Sequence, residues 1–278
     1  MKPVIGVIAP GAMGSAVGMR LVENGAEVLT VLEGRSTESA KRAKGAGMKD
    51  VGVAEFAGAA IVLSIVPPGE ALALAECLAP AMTEAKRKPI YIDCNAVSPE
   101  TAIAIGRVVS ATGARFVDAG IIGGPPKADY AGPVFYLSGV HARDAMMLKD
   151  YGLVPRLLDE RIGTASALKM SYGGITKGLT ALASAVILAA SRADVAPALK
   201  RELKESQPQL LAWFERQVPS MYSKAYRWVA EMEEVSEFAR EDAAAHEMFQ
   251  SFAALYTRLA KDFSGSKTEM DTLSKFFK

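Results

Sequence analysis

Short β-branched runs and amphipathic stretches alternate along roughly the first 160 residues of the chain. Val4–Ile8, Val28–Leu32, Ile61–Val66, Ile90–Asp93, Phe116–Ala119 and Val134–Leu137 are almost continuously apolar, the pattern of strands buried on both faces. Between several of them, Met13–Asn24, Ser36–Ala46, Glu70–Leu78 and Pro99–Thr112 carry apolar positions at helical spacing. A strand that buries both faces needs helices above and below it, so the pattern predicts an α/β fold with a mostly parallel, doubly wound sheet. After Gly163 the strand signals stop. Ala165–Arg192 is rich in Ala and Leu, and helical segments follow as far as Phe277. Pro197, Pro208 and Pro219 punctuate them and are expected to start or separate helices, because a proline ring removes a helical N–H and crowds the preceding turn. The expected architecture is an α/β domain over residues 1–163 followed by an all-α domain over residues 164–278.

Composition acts mainly by exclusion. Half of the residues are apolar and the net charge is +1, without the basic excess that nucleic acid or an anionic membrane calls for. Cys77 and Cys94 are the two cysteines, too few for a disulfide framework, and are expected to be buried thiols of a reducing compartment. His141 and His246 are far apart, so no metal site is expected. The most apolar run, Leu179–Ala190, is shorter than a bilayer span and is closed by Ser191, Arg192 and Asp194, which predicts a buried helix. No cationic segment with a cleavable apolar stretch precedes the first strand. A soluble, cytoplasmic protein is expected.

The first strand runs into Ala9-Pro-Gly-Ala-Met-Gly14, which puts small residues at 9, 11 and 14 in the spacing G-x-G-x-x-G. Each has a physical task. The first permits a tight turn out of the strand, Gly11 lets backbone approach a pyrophosphate, and Gly14 lets the helix pack closely on the sheet. The helix N-terminus, through Ala12, Met13 and Gly14, then offers free N–H groups to phosphate oxygens. Glu33 follows nineteen residues after Gly14, at the end of the next predicted strand, where a carboxylate accepts from a ribose 2′-hydroxyl and favours NAD. Arg35 and Ser36 come next, and a guanidinium beside a hydroxyl suits a 2′-phosphate. The expectation is a Rossmann domain that binds a nicotinamide dinucleotide, NADP in preference to NAD.

Four segments in order resemble the β-hydroxyacid dehydrogenase family, which includes 3-hydroxyisobutyrate and 6-phosphogluconate dehydrogenases. The family's G-x-G-x-M-G turn resembles Ala9-Pro-Gly-Ala-Met13-Gly14, and its D-x-S-T-x-x-P segment resembles Asp93-Cys-Asn-Ala-Val-Ser-Pro99. Its substrate loop D-A-P-V-S-G-G resembles Asp118-Ala-Gly-Ile-Ile-Gly123-Gly124, and its catalytic G-x-G-x-x-x-K resembles Gly163-Thr-Ala-Ser-Ala-Leu-Lys169. Order and spacing agree over about residues 3–178. The helical tail, with Tyr226-Arg227-Trp228 and Glu231-Met232-Glu233-Glu234, resembles a poorly characterised C-terminal domain found on some 6-phosphogluconate dehydrogenase-like members. Departures stand at Ala9 for glycine, Ile122 for serine, and Tyr172-Gly173 where the family usually has asparagines.

The resemblance implies a hydride exchanged between nicotinamide and a small hydroxy acid or related alcohol or carbonyl, with Lys169 as general acid/base. A lysine suits that task where partial burial and nearby cations lower its pKa. Tyr172, three residues on, shares the helical face and is a candidate to relay the proton or position substrate, or else plain core. Gly123 and Gly124 expose N–H groups suited to a substrate carboxylate, with Ile122 making the pocket more apolar and Lys177 a second candidate cation. Val66 and Pro67 are expected to shape the nicotinamide rim, and Asn95 to contact cofactor or substrate beyond its strand. Asp118 is expected to be structural. The resemblance also implies a homodimer built through the helical domains. Two other readings compete: an imine reductase on the same fold, which Tyr172 and Ile122 favour and Lys169 disfavours, and a non-catalytic NAD(P)-binding redox sensor.

Overall fold

The computed structural model describes residues 3–278. The first part of the chain runs β1 (Val4–Ile8), α1 (Ala12–Glu23), β2 (Glu27–Thr30), α2 (Thr37–Gly45), β3 (Lys49–Asp50), α3 (Val53–Ala57), β4 (Ile61–Ser64), α4 (Ala71–Glu84), β5 (Ile90–Asp93), α5 (Pro99–Ala111), β6 (Arg115–Ile122), β7 (Val134–Ser138) and β8 (Val154–Leu157). The strands form one sheet in the order β3-β2-β1-β4-β5-β6-β7-β8, parallel except where β6 meets β7. Reversal of strand order at β1, with β2 on one side and β4 on the other, creates the crevice beyond the strand ends where such sheets bind ligands.

Alternation along each strand feeds two apolar layers. Ile61, Leu63, Ile90 and Ile92 face Val17 and Leu21 of α1 and Ala145 and Leu148 of a 3-10 segment, Ala142–Tyr151. Val62 and Tyr91 face Phe56, Leu78, Met82, Ile105 and Val109 of α3, α4 and α5. Burial on both faces explains the near-continuous apolar runs in the sequence.

The expected strands and helices are present, with differences. β3 and β8 were not expected: β3 is two exposed residues, and β8 carries Pro155 and exposed Arg156, so neither shows an apolar run. Cys77 is exposed on α4, correcting its expected burial, whereas Cys94 is buried. Pro219 lies inside the last turns of α8 and Pro80 inside α4, so prolines do not always mark helix boundaries here.

The second part is helical: α6 (Thr164–Arg192), α7 (Ala196–Ser206), α8 (Pro208–Met221), α9 (Ala225–Phe238), α10 (Ala243–Ser264) and α11 (Thr268–Phe277). The chain divides into two compact units, one ending at Met170 and one spanning Ser171–Lys278, so the division falls within α6. The run Leu179–Ala190 belongs to this 29-residue helix, which is long and apolar enough to cross a membrane by length and composition; half of its most apolar window is buried inside the protein. Within the helical unit, Gly174 and Gly178 let Phe249 and Phe252 of α10 pack against α6. Tyr256 is fully buried, donates to the Lys177 carbonyl at 2.6 Å and meets Trp228 edge-on at 5.3 Å.

The start of α6 is fixed by a carboxylate from the sheet. Asp118 on β6 accepts from the backbone N–H groups of Gly163 (2.9 Å), Ala165 (3.1 Å) and Ser166 (3.1 Å), and from the hydroxyls of Ser138 (3.0 Å) and Ser166 (2.7 Å). These N–H groups are the donors a helix start leaves unpaired, and a negative charge there also meets the positive end of the helix dipole. Asp118→Asn removes the charge and points amide hydrogens at some of those donors. The expected result is a loss of about 3 kcal/mol, a urea midpoint lowered by about 1 M and faster amide exchange at Ala165 and Ser166. A wild-type midpoint and exchange pattern would take the carboxylate out of this role.

Candidate cofactor and substrate site

The turn from β1 into α1 separates two uses of glycine. A Cβ on Gly14 would lie 2.1 Å from the Ala9 carbonyl oxygen, so close approach of backbone demands glycine there. A Cβ on Gly11 would meet nothing within 4 Å. Protein packing therefore gives no reason for glycine at 11, and the open space lies at the N-terminus of α1, which has no side-chain cap and no acidic residue in its first turn. An uncapped helix start with open space before it, and the N–H groups of Ala12, Met13 and Gly14 without helical acceptors, suits a pyrophosphate. Arg42 of α2 donates to the Pro10 carbonyl at 3.0 Å and Ser15 to the Gly11 carbonyl at 2.7 Å, which brace the turn. Arg42 was not singled out from sequence, since nothing local links it to a turn 32 residues earlier.

On the side of β2, Leu32, Glu33, Asp50, Val51 and Gly52 line a cavity of about 470 Å³. β2 ends at Thr30, so Glu33 sits beyond the strand, exposed at the rim of this hollow. The Arg35 guanidinium is 3.7 Å from the Glu70 carboxylate. Ser36 is the N-cap of α2 and accepts from the Ser39 N–H at 3.2 Å, so its hydroxyl has a structural task here.

Beyond β4 and β5 lies a buried polar cluster. Asn95 accepts from the Val66 N–H at 2.7 Å and donates to Ser64 Oγ at 2.8 Å and Asp93 Oδ1 at 2.5 Å. These bonds tie the Val66-Pro67 rim to β5, with Val66 half-buried and Pro67 exposed. Asp93 is completely buried, and its second oxygen has no hydrogen-bond partner. It pairs in register with Asp118 on β6. Burial, and then the charge of Asp118, push the Asp93 carboxyl up to about 8. Burial also raises Asp118, against the hydrogen bonds from Ser166, Ser138 and Gly163 that favour its charged form. Two adjacent buried carboxyls cannot both ionise cheaply; the richly bonded Asp118 holds the charge and Asp93 keeps the proton at neutral pH.

At the end of β6, Gly120 allows α6 to pass close by: a Cβ there would lie 2.8 Å from the Ala165 carbonyl oxygen and 3.2 Å from Lys169 Cβ. Lys169, partly buried, donates from Nζ to the Ile121 carbonyl at 2.6 Å. Ile122 is half-buried, whereas Gly123 and Gly124 are exposed, and Gly124 faces open space. Thus Lys169 and the Ile122-Gly123-Gly124 turn come together, although they are far apart in sequence. Tyr172 follows on α6 and is half-exposed rather than core. Lys177 is otherwise engaged, forming an ion pair with Glu231 and lying 5.6 Å from the Trp228 ring centroid. Its charge is accounted for within the helical unit, by a partner 54 residues away that the sequence pattern did not reveal.

Because the folded-state pKa of Asp93 is raised, its contribution to stability is full below about pH 4 and is lost as pH rises towards about 8. Asp93→Asn mimics the protonated form and is expected to flatten the fall in urea midpoint over that interval. An unchanged pH slope would show that Asp93 does not titrate there.

The family model for the NAD binding domain of 6-phosphogluconate dehydrogenase matches residues 4–150, and a domain of unknown function, DUF1932, matches residues 190–259. An uncharacterised 28.5 kDa protein in the 7S RNA 5′ region of Methanothermus fervidus is 30% identical over 209 residues, 73% of this chain and 77% of that protein. A conserved protein of unknown function, described as structurally similar to 3-hydroxyacid dehydrogenases, is 27% identical, with a TM-score of 0.68 over 92% of this chain and 99% of that one. The fold also recurs in 3-hydroxyisobutyrate dehydrogenase of Mycobacterium tuberculosis with L-serine (TM-score 0.74, 15% identity, 99% of each chain). An imine reductase from Myxococcus stipitatus in complex with NADP+ shares it at a TM-score of 0.56 and 17% identity, over 99% of this chain and 100% of that one. The chain belongs to the family whose NAD binding domain is that of 6-phosphogluconate dehydrogenase and carries the DUF1932 helical domain.

Proposed function

We propose that the chain is an NADP-preferring oxidoreductase acting on a small hydroxy acid or the matching carbonyl compound, with Lys169 as general acid/base. The observation that carries this reading is the 2.6 Å bond from Lys169 Nζ to the Ile121 carbonyl, which holds the ammonium beside the Gly123-Gly124 turn. A bound nicotinamide supplies or accepts the hydride. The N–H groups of the turn suit a substrate carboxylate, and Lys169 gives a proton to the carbonyl oxygen in reduction and takes it back in oxidation. Val66, Pro67 and Asn95, held by the Ser64–Asp93 cluster, form a rigid rim for the nicotinamide.

For the cofactor, the Arg35–Glu70 pair is long and Glu70 is largely exposed, so its attraction is weak and readily exchanged for a 2′-phosphate. Ile122 and the half-exposed Tyr172 favour a second reading, reduction of an imine, and a panel of carbonyl and cyclic imine substrates with NADPH separates the two. The α6 positions Tyr172, Ile175, Leu179, Leu182 and Val186 are exposed, apolar and spaced three and four apart, with Ile175 65% and Leu182 50% exposed. Such a narrow uncharged seam on a helix whose other faces are buried fits a second copy of the chain, giving a homodimer, better than a bilayer, which wets a helix with lipid on a broad face. A soluble, cytoplasmic enzyme is the matching localisation.

Lys169→Ala is expected to lower turnover by about 100-fold or more with NADPH affinity nearly unchanged, and Arg35→Ala to weaken NADPH by about tenfold while sparing NADH. Undiminished turnover removes Lys169 from its role, and a preference for NADH indifferent to Arg35 removes the NADP assignment. Leu182→Glu is expected to convert a dimer to a monomer in sedimentation velocity; a wild type that already sediments as a monomer overturns the dimer.

A further inference from the structure

Ile122 leaves the Gly123-Gly124 turn without the hydroxyl that a serine at that position would bring, and the fold delivers another hydroxyl to the same place. Gly123 has φ +127°, a conformation that side-chain-bearing residues rarely adopt, and a Cβ built on it would lie 2.7 Å from Tyr130 Oη. Glycine at 123 is therefore required by its backbone, and the tyrosine hydroxyl is seated against it. Tyr130 is 41% exposed, and among the described residues no hydrogen-bond partner engages its hydroxyl.

Tyr130 is not on a free loop. Lys127 and Tyr130 exchange backbone hydrogen bonds at 3.3 and 3.1 Å, folding the β6–β7 connection into a tight hairpin. Arg20 of α1 clamps that hairpin with one guanidinium: it donates to the carbonyls of Lys127 (2.8 Å), Tyr130 (3.1 Å) and Ala131 (2.9 Å). Only the planar fork of an arginine reaches three carbonyls at once, and the Arg20 side chain is mostly buried, which strengthens the charge-assisted bonds. The helix whose N-terminus faces the dinucleotide thus also holds the loop that brings Tyr130 to the turn.

We propose that Tyr130 is a substrate-contacting residue, its hydroxyl acting with the Gly123 and Gly124 N–H groups to bind the carboxylate of a short hydroxy acid, and that Arg20 is the positioning residue that holds it there. The proposal rests on the hydroxy-acid reading above and adds a residue outside the motifs that suggested it. A phenolic hydroxyl donates to a carboxylate oxygen as serine does, but from a longer arm, so the pocket keeps an apolar wall at Ile122 while regaining a donor.

The test uses the full chain loaded with NADP+, with 3-hydroxypropionate as probe, binding read by calorimetry. Tyr130→Phe keeps the ring and is expected to weaken the probe about tenfold with NADP+ affinity unchanged. Arg20→Gln is expected to weaken it to a similar degree and to speed tryptic cleavage after Lys127 about tenfold, with Arg20→Lys recovering only part of the loss. Wild-type probe affinity in Tyr130→Phe overturns the contact, and wild-type cleavage in Arg20→Gln overturns the clamp, both leaving the hydroxy-acid reading intact. A wild-type protein that binds no 3-hydroxypropionate overturns that reading and this one together.

Discussion

A single buried negative charge organises the end of the first unit where β6 meets α6. Asp118 sits in the middle strands of the sheet, yet its carboxylate binds the first turn of α6 through three N–H groups and two hydroxyls. A carboxylate in that environment is worth its desolvation only while those donors surround it, so β6, Ser138 and the start of α6 hold one geometry. From that anchor the helix passes close over Gly120, and Lys169 arrives against the Ile121 carbonyl. Burial, reinforced by that charge, sets the state of its neighbour. Asp93, one strand away and fully buried, keeps its proton near neutral pH, and it anchors the Asn95 amide that in turn holds Val66.

The dinucleotide turn obeys a different constraint, that of room. Gly14 is glycine because the Ala9 carbonyl leaves no space for a Cβ, whereas at Gly11 there is nothing but space. Ala9 replaces the first glycine of the usual pattern without closing the cradle, because the work of close approach falls on the other two positions. This is why a pattern imperfect in its letters still describes a working turn.

Elements that bury apolar residues on both faces were legible from the sequence, since β1, β4 and β5 write their burial into consecutive letters. β3 and β8 were not, because two exposed residues, or a Pro-Arg pair at a sheet edge, bury too little to leave a signal. The site divides the same way. Gly11, Gly14, Asn95 and Lys169 stand in spaced motifs and could be named in advance. Arg20 and Tyr130 are 110 residues apart, and Lys177 and Glu231 are 54 apart; each pairing exists only once the chain has closed. Asp93 and Asp118 were visible as acids at the ends of apolar strands, but their electrostatic coupling depends on register between β5 and β6, which no local pattern encodes.

The composition of α6 follows from the several surfaces it must satisfy at once. At its start it needs small residues, because Ala165 lies against Gly120 and the capped N–H groups must reach Asp118. In its middle, Gly174 and Gly178 admit the rings of Phe249 and Phe252. Further along, Ala181, Ala183, Ser184, Ile187 and Leu188 are buried, while the positions between them present Leu179, Leu182 and Val186 outward. Between Lys177 and Arg192 the helix carries no charged residue even on its exposed side, so hydropathy rises to a value that length and composition alone would assign to a membrane span. The glycines of this helix follow from packing within the helical unit, since a missing Cβ at 174 and 178 admits the Phe249 and Phe252 rings of α10.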